Sequence, residues 1–198
     1  MASVARPNLS PVRSDRILSG LLLLGAIAYA CFLYCYGSPV AGGSDSSGYL
    51  NSARLLEQHR FFADMRIPAG YDRTNFSPGV FQPLGFLVDA KLPRMVPTYP
   101  LGLPLHLLAA AKLVGWDRAA LIVNVLVALG SGGVLWLLAR HFDFPKGWTA
   151  FAVVWLWLSP QMIFCALQPM SDTPALFWSL VVLYTAIRSR GGSAWCFG

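Results

Sequence analysis

Two carboxylates stand out in a chain that carries few charges. Asp45 lies in Gly-Gly-Ser-Asp-Ser-Ser-Gly-Tyr (Gly42–Tyr49), and Asp172 in Gln-Pro-Met-Ser-Asp-Thr-Pro (Gln168–Pro174). Apolar residues recur at helical spacing after Asp45 (Tyr49, Ala53, Leu56), so a helix begins at Ser44 or Asp45. Free amides and the helix dipole favour a charged acid there. Such an acid is either a plain N-cap or, facing a cavity, a general base or metal ligand. Asp172 also has two readings. It helps to start a helix in which Thr173 is the cap and Pro174 sits in the first turn, or it is the second carboxylate of one cavity. Lys91 and Arg94 precede Val96-Pro97-Thr98-Tyr99-Pro100-Leu101-Gly102-Leu103-Pro104. They are either solvated loop charges or ligands of a lipid phosphate. The four cysteines follow no metal or disulfide spacing; Cys31, Cys35 and Cys165 sit in apolar runs and read as packing residues.

What positions these residues follows from composition. Of 198 residues 56% are hydrophobic and only 12% charged, where soluble domains carry roughly 25% charged residues. Mean hydropathy is +0.54. A water-soluble domain and a disordered chain are both excluded on that balance. A spanning helix needs about 20 apolar residues at 1.5 Å each. Four segments qualify: residues 17–40, 118–140, 147–167 and 173–189, the last extended by a snorkelling Arg188. A signal peptide ending near Ala41-Gly42-Gly43 is the alternative for the first. Leu101 to Ala111 is too short to span, roughly 17 Å against a core of about 30 Å, and reads as an interfacial helix. Gly130-Ser131-Gly132-Gly133 offers a close approach to a neighbouring helix.

Charge placement supports this division. With residues 1–16 inside, Arg6, Arg13 and Arg16, then Arg140, His141 and Lys146, then Arg188 and Arg190 all fall on the inner side. The net charge of +6 thus reports topology. Residues 41–117 form one large periplasmic loop with two interfacial helices, and residues 190–198 are a tail. Pro68, Pro78, Pro83 and Pro93 with Gly70, Gly79 and Gly85 exclude one long helix across Phe61–Val96. The expected fold class is an all-α membrane protein with four transmembrane helices, interfacial helices in the first outer loop, and no sheet. Asp45 and Asp172 then share one side, and convergence on a small cavity requires their carboxylates to lie within roughly 15 Å.

At this point the chain resembles the amino-terminal portion of the GT-C integral membrane glycosyltransferases, nearest to those similar to protein O-mannosyltransferases and the aminoarabinose transferase. Gly-Gly-Ser-Asp-Ser-Ser-Gly-Tyr with Ala53-Arg54-Leu55-Leu56, Tyr99-Pro100-Leu101-Gly102-Leu103-Pro104-Leu105, and Leu158-Ser159-Pro160 with Gln168–Leu176 carry the resemblance. It implies transfer of a sugar from a polyprenyl-phosphate donor to an acceptor hydroxyl, with inversion. It also implies Asp45 as the general base and Asp172 as an acid lining the same cavity. Tyr49 and Tyr99 would shape the sugar or lipid site, and Lys91 and Arg94 would offset the leaving phosphate. Relatives that hold a divalent metal have a glutamate where this chain has Thr98-Tyr99, which leaves metal dependence open. Family members have roughly a dozen spans, and the end of this chain reads as a fragment or a shifted frame.

Other classes make different demands. A transporter piece calls for ionisable groups inside spans; the spans here hold only uncharged polar groups such as Asn124 and Gln161. A membrane scaffold or lipid-binding protein tolerates loss of both aspartates. Basic residues scattered over both membrane faces argue against nucleic acid. The implied partners are membrane lipid and a polyprenyl-phosphate-linked sugar, and the implied location is a bacterial inner membrane with the active side periplasmic.

Overall fold

The computed structural model describes residues 11–71, 75–89 and 94–189. It is mostly helical. In chain order the elements are α1 (Pro11–Tyr36), α2 (Ser44–Glu57), β1 (Ala63–Asp64), β2 (Phe86–Val88), β3 (Arg94–Pro97), α3 (Gly102–Val114), α4 (Trp116–His141), α5 (Lys146–Leu158), α6 (Pro160–Ala166) and α7 (Asp172–Ser189).

Two helices are long and apolar enough to cross a membrane, Asp15–Tyr36 and Trp116–His141. A third crossing is available if α5 and α6 count as one broken span, since they meet at a 56° bend. The bend has a local cause. The residue before a proline is pushed out of the helical region, and the proline supplies no N–H. Ser159 accordingly takes φ −63 and ψ 135, and its Oγ caps α6 by accepting from the Met162 N–H at 3.2 Å. Asn124, the polar residue inside α4, repairs the far end of the broken element. Its Nδ2 donates to the carbonyls of Ala166 (3.0 Å) and Gln168 (2.9 Å), and the Ser38 amide donates to the Leu167 carbonyl at 2.7 Å.

The helices alternate in direction. Lys146 at the start of α5 pairs with Asp15 near the start of α1, so those two helices begin at one end. At the other end the Ser38 amide meets Leu167, and an added methyl on Gly37 would strike Leu121. Gly132 lies under the Trp157 ring and Gly130 under Phe177. The small-residue patch of α4 therefore does admit two neighbours, α5 and α7. Tyr29, Leu33, Ala128, Val153, Trp157, Met162 and Ala166 fill the space between α1, α4, α5 and α6.

The segment between α1 and α4 corrects one expectation: it contains a sheet. β1, β3 and β2 form an antiparallel sheet in that order, with Ala63 opposite Met95 and Leu87 opposite Val96. Strands of two to four residues are too short for a period-two signal to emerge from a loop rich in breakers. Met65, Phe86 and Met95 bury one face of the sheet, with Leu55 of α2 packed against them. The two helices expected in this segment are present as α2 and α3. They join α4 through a core of Tyr49, Leu50, Ala53, Leu103, Leu107, Ala119, Ala120 and Val123. Glu57 accepts from the Trp116 indole at 3.0 Å, and the Arg54 guanidinium lies 5.5 Å from the centre of the same ring. Those contacts fix α2 against the start of α4.

Candidate functional site

The site is built on the first turn of α2. The N-cap position is Gly43, which has no side chain to offer, so the helix start has no side-chain cap. The plain N-cap reading of Asp45 is thereby corrected: Asp45 lies one residue inside the helix, and its half-buried carboxylate is turned to other partners. Oδ1 accepts from the Tyr99 hydroxyl at 2.5 Å and from the Ser44 hydroxyl at 3.0 Å. Among the described residues Oδ2 has no hydrogen-bond donor. One oxygen is thus anchored, while the other keeps its lone pairs.

Tyr99 reaches Asp45 because two glycines clear its path. A methyl group on Gly48 would lie 2.2 Å from Tyr99 Cδ2. Gly85, at φ +84, brings its backbone against Ser44 and Gly48, where a Cβ would lie 2.6 Å from the Ser44 carbonyl oxygen. The Thr98 amide donates to the Gly85 carbonyl at 3.1 Å, which ties the end of β3 to the same turn. Only glycine fits a positive φ and a backbone contact this close. The carboxylate accepting its proton holds the Tyr99 phenol above its ordinary pKa of 10.0.

From Tyr99 the contacts continue to the second acidic position. The Tyr49 and Tyr99 rings are 4.8 Å apart, and the Tyr49 hydroxyl donates to Ser171 Oγ at 2.8 Å. Ser171 is the neighbour of Asp172. The start of α2 and the turn before α7 therefore meet at one end of the bundle. Asp172 is exposed and opens α7. It lines a cavity of about 270 Å³ together with Ser159, Gln161, Cys165 and Thr173. The expected cap role of Thr173 is corrected: Thr173 lies inside α7, and its buried Oγ1 has no hydrogen-bond partner among the described residues.

Arg94 lies elsewhere. It begins β3, and up to about 16 Å of extended chain separates it from Tyr99. Its guanidinium stacks on Phe62, 4.2 Å from the ring centre. Lys91 lies outside the described residues. Among the described residues no group of three or more His, Cys, Asp or Glu side chains is placed to hold a metal ion.

Ser44, Gly48, Gly85 and Ser171 belong to this arrangement and were not singled out by the sequence. Ser44 and Gly48 sit inside the Gly42–Tyr49 segment, where serine and glycine read as helix-start residues. Gly85 carries no local signal that separates it from the other loop glycines. Comparison with known protein families, with curated proteins and with solved structures finds no match to this chain.

Proposed function

We propose that the protein is a membrane glycosyltransferase acting on a polyprenyl-phosphate-linked sugar at the outer face of the membrane, with Asp45 as its general base. The carrying observation is the half-anchored carboxylate. Oδ1 is held by Tyr99 and Ser44, so the side chain is oriented, while Oδ2 is available to an acceptor hydroxyl. In an inverting displacement the acceptor oxygen attacks the anomeric carbon and passes its proton to Oδ2. The polyprenyl phosphate then leaves with the electron pair of the broken bond. Tyr49 and Tyr99 form an aromatic wall beside the carboxylate, and Asp172 stands across the turn that Tyr49 contacts.

Two spanning helices, and a third broken one, would keep the donor's tail in lipid while its head reaches this end. Completing the reading requires α7 to cross as a fourth span. Arg94 receives no part in the displacement, because its contacts lie on Phe62.

The test is sugar transfer by the full chain in lipid vesicles, offered a panel of polyprenyl-phosphate sugars and a hydroxyl acceptor. A positioned general base contributes about 10²–10⁴-fold. Asp45→Asn should therefore lower turnover by at least about a hundredfold with helical content unchanged. Transfer that is indifferent to Asp45→Asn overturns the assignment. Absence of transfer with every donor in the panel moves the chain to the lipid-binding reading.

A further inference from the structure

Among the described residues no other element covers the second face of the sheet. Period-two alternation places Asp64 and its cross-strand partner Arg94 on that face, with Val96 beside its own partner Leu87. Leu87 is 61% exposed and Val96 46% exposed, although both are large and apolar. The opposite face is the one packed on α2 through Met65, Phe86 and Met95. On the open face Phe62 carries two guanidinium groups, Arg94 at 4.2 Å and Arg60 at 5.2 Å from the ring centre. Arg60 is neutralised by Asp64 at 2.7 Å. Arg94 makes no ion pair among the described residues.

This is an apolar centre with one unpaired cation, Arg94, at its rim among the described residues. Ring stacking holds a guanidinium flat and leaves its N–H edge free for a bidentate oxyanion. We propose that the open sheet face docks onto the bilayer surface, with Leu87 and Val96 at the headgroup–acyl boundary and Arg94 on an anionic lipid phosphate. Two observations select the bilayer over a protein partner. The segment is tied at both ends to helices that are long and apolar enough to cross the membrane, so lipid headgroups are present at high local concentration. The surface also pairs exposed aliphatic side chains with arginine, the combination that binds anionic membrane surfaces. The inference does not rest on the transferase reading, since the face is separate from Asp45.

The experiment uses the full chain in vesicles of phosphatidylcholine with or without phosphatidylglycerol. An environment-sensitive fluorophore is placed on Val96→Cys, and in a second variant on Leu87→Cys, with the native cysteines replaced by serine. Docking predicts a blue-shifted emission that spin-labelled lipid quenches, stronger with phosphatidylglycerol present. Arg94→Gln should lower the docked-to-undocked ratio about fivefold in anionic vesicles. Two outcomes overturn the proposal: a label exposed to water in both lipids, which gives the face to solvent or to a protein, or quenching that is indifferent to anionic lipid and to Arg94→Gln.

Discussion

At the residue scale the decisive fact is what Asp45 does not do. A serine or aspartate at a helix start ordinarily spends its side chain on the free amides of the first turn. Here the cap position falls to Gly43, and the Asp45 carboxylate is left for Tyr99 and Ser44. The sequence placed Asp45 at a helix start. The Tyr99 contact was beyond it, because Tyr99 is 54 positions away and arrives only through Gly48 and Gly85. The pairing has a consequence in alkali. Asp45 accepts the phenolic proton and raises the Tyr99 pKa above 10.0. A raised folded-state pKa means that the folded protein holds this proton more tightly than the unfolded chain does. The contribution to stability is therefore complete below the ordinary tyrosine pKa and is lost as pH rises through the raised value. Spectrophotometric titration should place the Tyr99 phenol, read as the wild-type minus Tyr99→Phe difference, above an ordinary tyrosine. Asp45→Asn should bring it down. An unchanged titration in Asp45→Asn would show that the carboxylate does not hold the phenol.

At the element scale the bent pair of α5 and α6 is decisive. Residues 147–167 read as one span in the sequence, and the structure bends them at Ser159–Pro160, because proline biases the residue before it away from the helix. What the sequence does not disclose is who satisfies the carbonyls that the break and the following turn release. Asn124 looked like a polar exception inside an apolar helix. It is buried, and it donates to both Ala166 and Gln168. Its partners are 42 and 44 positions distant, outside any local pattern. Replacing it with leucine would keep the branched shape but leave the Ala166 carbonyl without this donor and the Gln168 carbonyl with the Met170 amide alone, at a cost of about 1–3 kcal/mol. The turn after α6 carries Ser171 and Asp172, so loosening it should expose Cys165, which is only 2% exposed in the intact fold. With the other cysteines replaced by serine, thiol labelling of Cys165 should be several-fold faster in Asn124→Leu than with Asn124 intact. Equal rates would mean that the amide is not what closes this turn. The sheet failed to show in the sequence for a related reason. Its strands are held by pairing between segments too short to announce themselves, whereas α1 and α4 are written in 26-residue stretches.

At the scale of the whole molecule the question is how many helices cross, and the contacts constrain the answer. The start of α5 sits with the start of α1 through Lys146 and Asp15, and the turn after α6 sits with α2 through Tyr49 and Ser171. The broken pair therefore runs from one end of the bundle to the other. Its 21 residues, Lys146 to Ala166, measure roughly 31 Å as helix, enough for a core of about 30 Å before the bend is counted. A re-entrant loop would return to its own side and separate Asp172 from Asp45; the Tyr49–Ser171 bond opposes that. α7 is the harder case. Its 18 residues measure roughly 27 Å, and Asp172 and Arg188 sit at its two ends. Snorkelling of Arg188 toward the far headgroups makes up the difference. Basic residues near Arg140, Lys146 and Arg188 then share one side, as the positive-inside rule requires. Single cysteines at Gln58, Phe142 and Ser189, in a chain otherwise free of cysteine, separate the possibilities. In sealed vesicles a membrane-impermeant maleimide added on the outer side should label Gln58→Cys, and should label Phe142→Cys and Ser189→Cys only after permeabilisation. Labelling of Ser189→Cys without permeabilisation would hold both ends of α7 on the outer side. The four-span fold would then fall, while the site at the start of α2, which rests on α2, α3 and the sheet, would stand.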